Sequence, residues 1–159
     1  MSSSTFFRTV ICGFIATFAM AMVAFLQNAI GLPIIDVGHI LTESFNEVHG
    51  SRAYHIIFGN LAFNIGGVLL ALIWVVYLQK YIPGNWFVKG LIYGVMISLL
   101  AGLIVSPFVS AAAGEPFGIF YINTWAPGKF ILAGLLMHIA YGLVLTQSLK
   151  VADVGEMNG

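Results

Sequence analysis

His138 is the residue whose type and setting most invite chemistry. It lies nine residues beyond Lys129 inside an uncharged stretch. At about 1.5 Å per residue a helix would carry it roughly 13 Å into a bilayer. An ionisable side chain at that depth is a functional candidate by default. Three uses fit an imidazole there: a neutral hydrogen-bonding bridge to a neighbouring helix, ligation of haem or a metal, or a proton or quinone role. Asn60 and Asn64, four residues apart, share a helix face. Asn64 is expected at a depth near that of His138, so a His138–Asn64 bridge is the leading expectation. Tyr141 follows His138 by one turn and completes the candidate ligand set His138, Asn64, Asn60 and Tyr141.

A second constellation lies before the second apolar stretch. His39, Glu43 and Glu47 are spaced to share one face of a helix, with His49 close behind. That donor set suits a divalent cation, although the spacing matches no zinc signature and a solvated face is the favoured account of Glu43 and Glu47. Ile40, Leu41, Phe45 and Val48 would cover the opposite face and lie on the bilayer or a partner. Gly50 supplies a helix stop. His55 is expected to hydrogen-bond at the membrane boundary. Phosphate-binding loops, nucleophile elbows, HExxH, dinucleotide fingerprints and paired intramembrane carboxylates are absent from the sequence. A catalytic centre is therefore not expected, nor is an ion-coupled pump acting alone.

The elements that must position these residues follow from composition and charge. Of 159 residues, 60% are hydrophobic and 8% charged, against about 45–50% and about 25% in soluble domains. So few charges could not solvate a compact soluble protein of this size. A net charge of zero offers no footprint for nucleic acid. One cysteine, Cys12, excludes an internal disulfide framework and any cysteine-based zinc site within one chain; it reads as a buried apolar filler. No charge falls between Arg8 and Asp36, Arg52 and Lys80, Lys89 and Glu115, or Lys129 and Lys150. Each gap is long enough for a spanning helix of about 20 residues, and none shows the alternation of a barrel strand. The reading is an all-α membrane protein. Residues 1–159 form a single four-transmembrane-helix bundle, with helices near 8–30, 54–79, 87–107 and 129–149 and outer loops at 31–53 and 108–128. Pro33 and Pro107 are expected to close the first and third helices, and residues 40–50 to form an outer helical extension. The apolar run at the N-terminus continues to Ile35, longer than the core of a cleaved signal.

Arg8, Lys80, Lys89 and Lys150 fall on one side of this layout and Arg52 and Lys129 on the other. The positive-inside bias then places both termini in the cytoplasm, with Asp36, Glu43, Glu47 and Glu115 outside. The stretch Pro116–Pro127 reads as an interfacial loop. Trp74, Trp86, Trp125, Tyr77, Tyr81 and Tyr121 lie near helix ends and fit an aromatic belt.

Small residues recur at four-residue spacing: Gly90, Gly94, Ser98, Gly102 and Ser106 in the third helix, Gly134, Gly142 and Thr146 with His138 in the same row in the fourth, Gly13, Thr17 and Ala21 in the first, and Gly59, Gly67 and Ala71 in the second, where Phe63 interrupts the row. Helices in lipid associate through such faces, either within the bundle or with other membrane subunits. His55-Ile-Ile-Phe58-Gly59 echoes His138-Ile-Ala-Tyr141-Gly142, which suggests two repeated helical hairpins.

Gly13-Phe-Ile-Ala-Thr17, the Gly90–Gly94 start of helix three, Pro107 and His138-x-x-Tyr141-Gly142 together resemble an uncharacterised family of small four-helix integral membrane proteins of bacteria and archaea, over about residues 10–148. The resemblance implies a place in a bacterial or archaeal cytoplasmic membrane, and an accessory role beside haem–copper terminal oxidases or related respiratory electron-transport enzymes. The His-bearing stretch 39–55 departs from that pattern. The leading expectation is a non-catalytic accessory subunit of a respiratory complex, with no cofactor in the isolated chain. The alternatives are a protein that binds haem, quinone or lipid at His138 and Asn64, and a small homo-oligomeric channel or transporter.

Overall fold

A computed structural model describes residues 1–114 and 117–155. Glu115 and Pro116, expected in the outer loop, lie outside the described residues. The chain is all-helical, with no strand among the described residues. Four helices are long and apolar enough to cross a membrane: Ser3–Ile30, His55–Leu78, Trp86–Ala112 and Pro127–Val151, with mean hydropathies between 1.7 and 2.3.

Helix α1 (Ser3–Leu26) is capped by the Ser2 hydroxyl, which accepts from the Thr5 N–H. It runs into a 3₁₀ turn at Gln27–Ile30 that ends on left-handed Gly31. Helix α2 (Val37–His49) lies outside the spans. Asp36 caps it by accepting from the His39 N–H at 3.0 Å, and Gly50, at φ +73°, stops it. Helix α3 (His55–Ile73) continues through a π turn at Trp74–Leu78. Helix α4 (Trp86–Leu100) starts on an Asn85 cap, and helix α6 (Pro127–Val151) opens with proline in its first turn, where no N–H is needed.

The third span does not close at Pro107. A π turn at Ala101–Val105 follows α4, and helix α5 (Ser106–Ala113) resumes beyond it. The wider turn resets the hydrogen-bonding register, so that Pro107 falls in the first turn of α5, where its missing N–H breaks nothing.

The spans pack in the order α3, α1, α6, α4. The small-residue faces set this order. Gly13 faces the Val68 backbone and Ala71, and Gly67 faces Thr17. In the second hairpin Gly90 meets Thr146 and the Gly142 carbonyl, and Gly94 meets the Ile139 backbone. Each hairpin thus sets a threonine of one helix against a glycine of the other. The hydroxyls of Thr17 and Thr146 are bound back to the carbonyls of Gly13 and Gly142, so that each turns an already satisfied oxygen to the facing glycine. The two hairpins use the same contact with the helices' parts exchanged, since Thr17 lies on the first helix of its pair and Thr146 on the second, and the His55/His138 echo is not carried into space. His55 starts α3 and pairs with the Asn46 side chain at 2.8 Å, whereas His138 lies mid-helix in the core. Across the hairpins, Arg8 donates to the Ala152 carbonyl at the C-terminal end of α6, and Lys129 donates to the Gly31 carbonyl.

Trp74 departs from the aromatic belt. It is fully buried, 4.7 Å from the Tyr93 ring, because it continues the buried face of α3 beyond Gly67 and Ala71, with its own N–H still bonded to the Leu70 carbonyl. Trp125, Tyr77 and Tyr81 stay exposed. Phe117, Tyr121 and Phe130 pack together where the loop after α5 meets α6.

Candidate functional site

Helices α3 and α4 meet chiefly through one residue. Tyr93 donates to the Leu70 carbonyl at 2.7 Å and packs on Trp74, while Tyr141 donates to the Gly67 carbonyl at 2.5 Å. Trp74, Tyr93 and Tyr141 form a tight aromatic floor across the bundle, on the side of the chain termini. On the loop side of this floor the two helices diverge and leave a cavity of about 350 Å³. That lies within the range of small-molecule sites, roughly 300–1,000 Å³.

One wall is Ala62, Phe63, Gly66 and Gly67 of α3, and the other is Ile97, Leu100, Ala101 and Val105. Met137, His138 and Tyr141 of α6 line the back, with Thr17 and Met20 of α1. Leu100 and Val105 line the cavity while remaining 49% and 46% exposed, so the cavity opens sideways toward lipid. A Cβ on Gly66 would meet nothing within 4 Å, which leaves the mouth unobstructed on the α3 side.

The roof is α2. Val37, Ile40 and Leu41 face into the cavity, so the apolar face of this helix closes the bundle and does not lie on the bilayer. Gly38 and Gly59 allow the close approach: a Cβ on Gly38 would collide with the Asn60 amide, and one on Gly59 with Thr42 and the α2 backbone. Phe45 packs against Phe58 and His55, while Val48 is exposed.

The cavity contains few polar groups, and most are already paired. The hydroxyls of Thr17, Ser106 and Tyr141 donate to the carbonyls of Gly13, Gly118 and Gly67. His138, 9% exposed, uses Nδ1 on the Gly134 carbonyl at 2.6 Å. Its Nε2 makes no hydrogen bond among the described residues. The Tyr121 hydroxyl, near Gly134 and so one turn from His138, also has none. Burial pushes the Tyr121 phenol above its ordinary range, so it keeps its proton. Among the described residues no charged side chain lines the cavity.

Of the ligand residues expected from sequence, His138 and Tyr141 are brought together here, but Asn60 and Asn64 are not. The His138–Asn64 bridge is not made. Asn64 donates to the Asn60 carbonyl and Asn60 to the Ile56 carbonyl, each at 2.8 Å within α3. An amide and an imidazole can both reach a carbonyl one turn back, which removes the need for a partner helix. The expected metal set is not assembled either. His39 and Glu43 are 4.0 Å apart on a solvated face, and His49 packs on the His55 ring. Among the described residues no three His, Cys, Asp or Glu side chains could hold a metal together. Tyr121, expected only as a belt residue, is the cavity's second unpaired polar group.

The packing residues Gly90, Gly94 and Gly142 all serve the α4–α6 contact. Gly102 faces the Phe120 ring, and Gly134 lies beside Tyr121. Ser98 borders a smaller cavity of about 220 Å³.

Haem does not fit the larger cavity. An apolar cavity of about 150 Å³ holds benzene, and 350 Å³ is little more than twice that, too small for a macrocycle of four pyrrole rings. Lysine and arginine to pair with propionates are also missing from the lining.

No family model matches the chain, and neither a curated protein nor a solved structure shows significant similarity to it.

Proposed function

We propose that this protein binds a neutral, largely apolar membrane molecule inside its bundle, admitted sideways from the bilayer between α3 and α4. The observation that carries this reading is the 350 Å³ cavity, apolar and with no charged side chain among its described lining residues, in a bundle whose α1–α3 and α4–α6 seams close through glycine. Its two unpaired polar groups, on His138 and Tyr121, both lie close to Gly134, which fits a ligand with a single polar head and an apolar body. Native mass spectrometry from lipid nanodiscs tests this: the protein should retain one class of neutral lipid, whereas release of bare protein, or of bulk phospholipid alone, would contradict it.

An accessory role in a respiratory electron-transport complex has less support. Small-residue faces that could have met other subunits are occupied by contacts within the chain. That role therefore rests on the family resemblance alone. A pore through a single bundle is not supported, because the aromatic floor fills its centre, so a homo-oligomeric channel or transporter would have to conduct between copies of the chain.

The chain is proposed to lie in a bacterial or archaeal cytoplasmic membrane with its termini in the cytoplasm and α2 outside, following the bias of Arg8, Lys80, Lys89 and Lys150. In a cysteine-free background, Glu43→Cys should react with impermeant maleimide in intact cells and Asn85→Cys should not. The opposite pattern would invert the topology.

A further inference from the structure

We infer that the bound molecule is a quinol, held by a ring hydroxyl donating to His138 Nε2, and that its oxidised quinone binds more weakly. This inference rests on the binding reading above. The Gly134 carbonyl can only accept, so at 2.6 Å the proton of the neutral imidazole must be on Nδ1. Nε2 then presents a lone pair. His138 is more than nine-tenths buried and lines the cavity, where an acceptor without a donor is penalised. The ligand must therefore bring an O–H or N–H.

The head must also be uncharged, because among the described residues the lining has no ion to balance a phosphate or an ammonium. Among neutral hydroxyl donors, a ring is favoured by the aromatic side chains around the cavity, Phe63, Phe117, Tyr121 and Tyr141, against which a ring packs by offset or edge contacts. A ring with a short branched tail fits the volume, and a longer tail can leave through the opening to lipid. The Tyr121 hydroxyl, at the same end as His138, is free to pair with the second ring oxygen.

A quinone offers carbonyls alone, which would set acceptor against acceptor at Nε2. Moving the imidazole proton to Nε2 does not solve this, because the Nδ1 lone pair would then face the Gly134 oxygen at 2.6 Å.

The test compares a decyl-tailed benzoquinol with its quinone by anaerobic titration calorimetry on the wild-type protein in nanodiscs. The quinol should bind at least about tenfold more tightly, the scale expected when a buried polar group is left unpaired. His138→Gln supplies a donor as well as an acceptor, and should bring the ratio near unity while circular dichroism and gel filtration stay unchanged. Equal affinities in the wild type, tighter quinone binding, or a preference that survives His138→Gln would overturn the inference. Binding of a diacylglycerol in place of either ring compound, blocked by Gly66→Phe, would overturn it too but leave the binding reading standing. If no apolar probe is blocked by Gly66→Phe, the binding reading itself fails.

Discussion

Gly94→Leu should dissolve the packing of α4 on α6. A Cβ at this position would stand 2.6 Å from the Ile139 Cα and 2.8 Å from the His138 carbonyl oxygen. Both are backbone atoms of a helix with no slack to yield, so the helices must separate. Overpacking in a well-filled core costs about 1–3 kcal/mol and sometimes more, and here the upper end applies because Gly90 and Gly142 share the same seam. Thermal unfolding in mild detergent should show a large loss of stability or no folded protein. Gly102→Leu gives the contrast: its nearest neighbours are atoms of the Phe120 side chain, and a ring on a loop can move aside. A Gly94→Leu protein with wild-type unfolding would refute the close-contact account.

The second large effect separates two adjacent glycines. Gly66→Phe should leave the fold intact and abolish ligand binding, because its side chain enters open space at the cavity mouth. Replacing a helical glycine also recovers up to about 0.5 kcal/mol of helix propensity. Gly67→Phe should instead break the bundle, since a Cβ there collides with Thr17 of α1. Circular dichroism, gel filtration and probe binding on the two variants read out both effects. Equal behaviour of the two would mean that the cavity and the seam are not distinct.

The four spans could be read from the charge gaps because lipid allows helices to carry so few charges, and the glycine faces could be read because close approach demands them. The pairing of those faces could not. Gly90 and Gly142 carry no mark of being each other's neighbours, and the cavity exists only because α3 and α4 are the pair left apart. The π turn at Ala101–Val105 was hidden as well, since Pro107 taken alone signals a helix end. Trp74 looked like a belt residue from its place near the end of a span, yet it shares the helical face of Gly67 and Ala71, so the spacing of the small-residue face already marked it as buried. His138 was legible as the central side chain. Its partner was not, because a carbonyl four residues back competes with any side chain on a neighbouring helix. Tyr121 gave no signal, because its position at the cavity follows from a loop turn in which Phe120 and Tyr121 both take positive φ.

Photolabelling tests the central claim most directly. A neutral, apolar diazirine probe activated in nanodiscs, with labelled residues mapped by mass spectrometry, distinguishes a molecule inside the bundle from lipid around it. Labelling should concentrate on cavity residues such as Ala62, Ile97 and Met137, two of which, Ile97 and Met137, are buried from the surrounding bilayer, and should disappear from them in Gly66→Phe. Labelling confined to outward-facing residues such as Phe18, Leu69 and Leu132, unchanged by Gly66→Phe, would contradict a ligand site within the bundle.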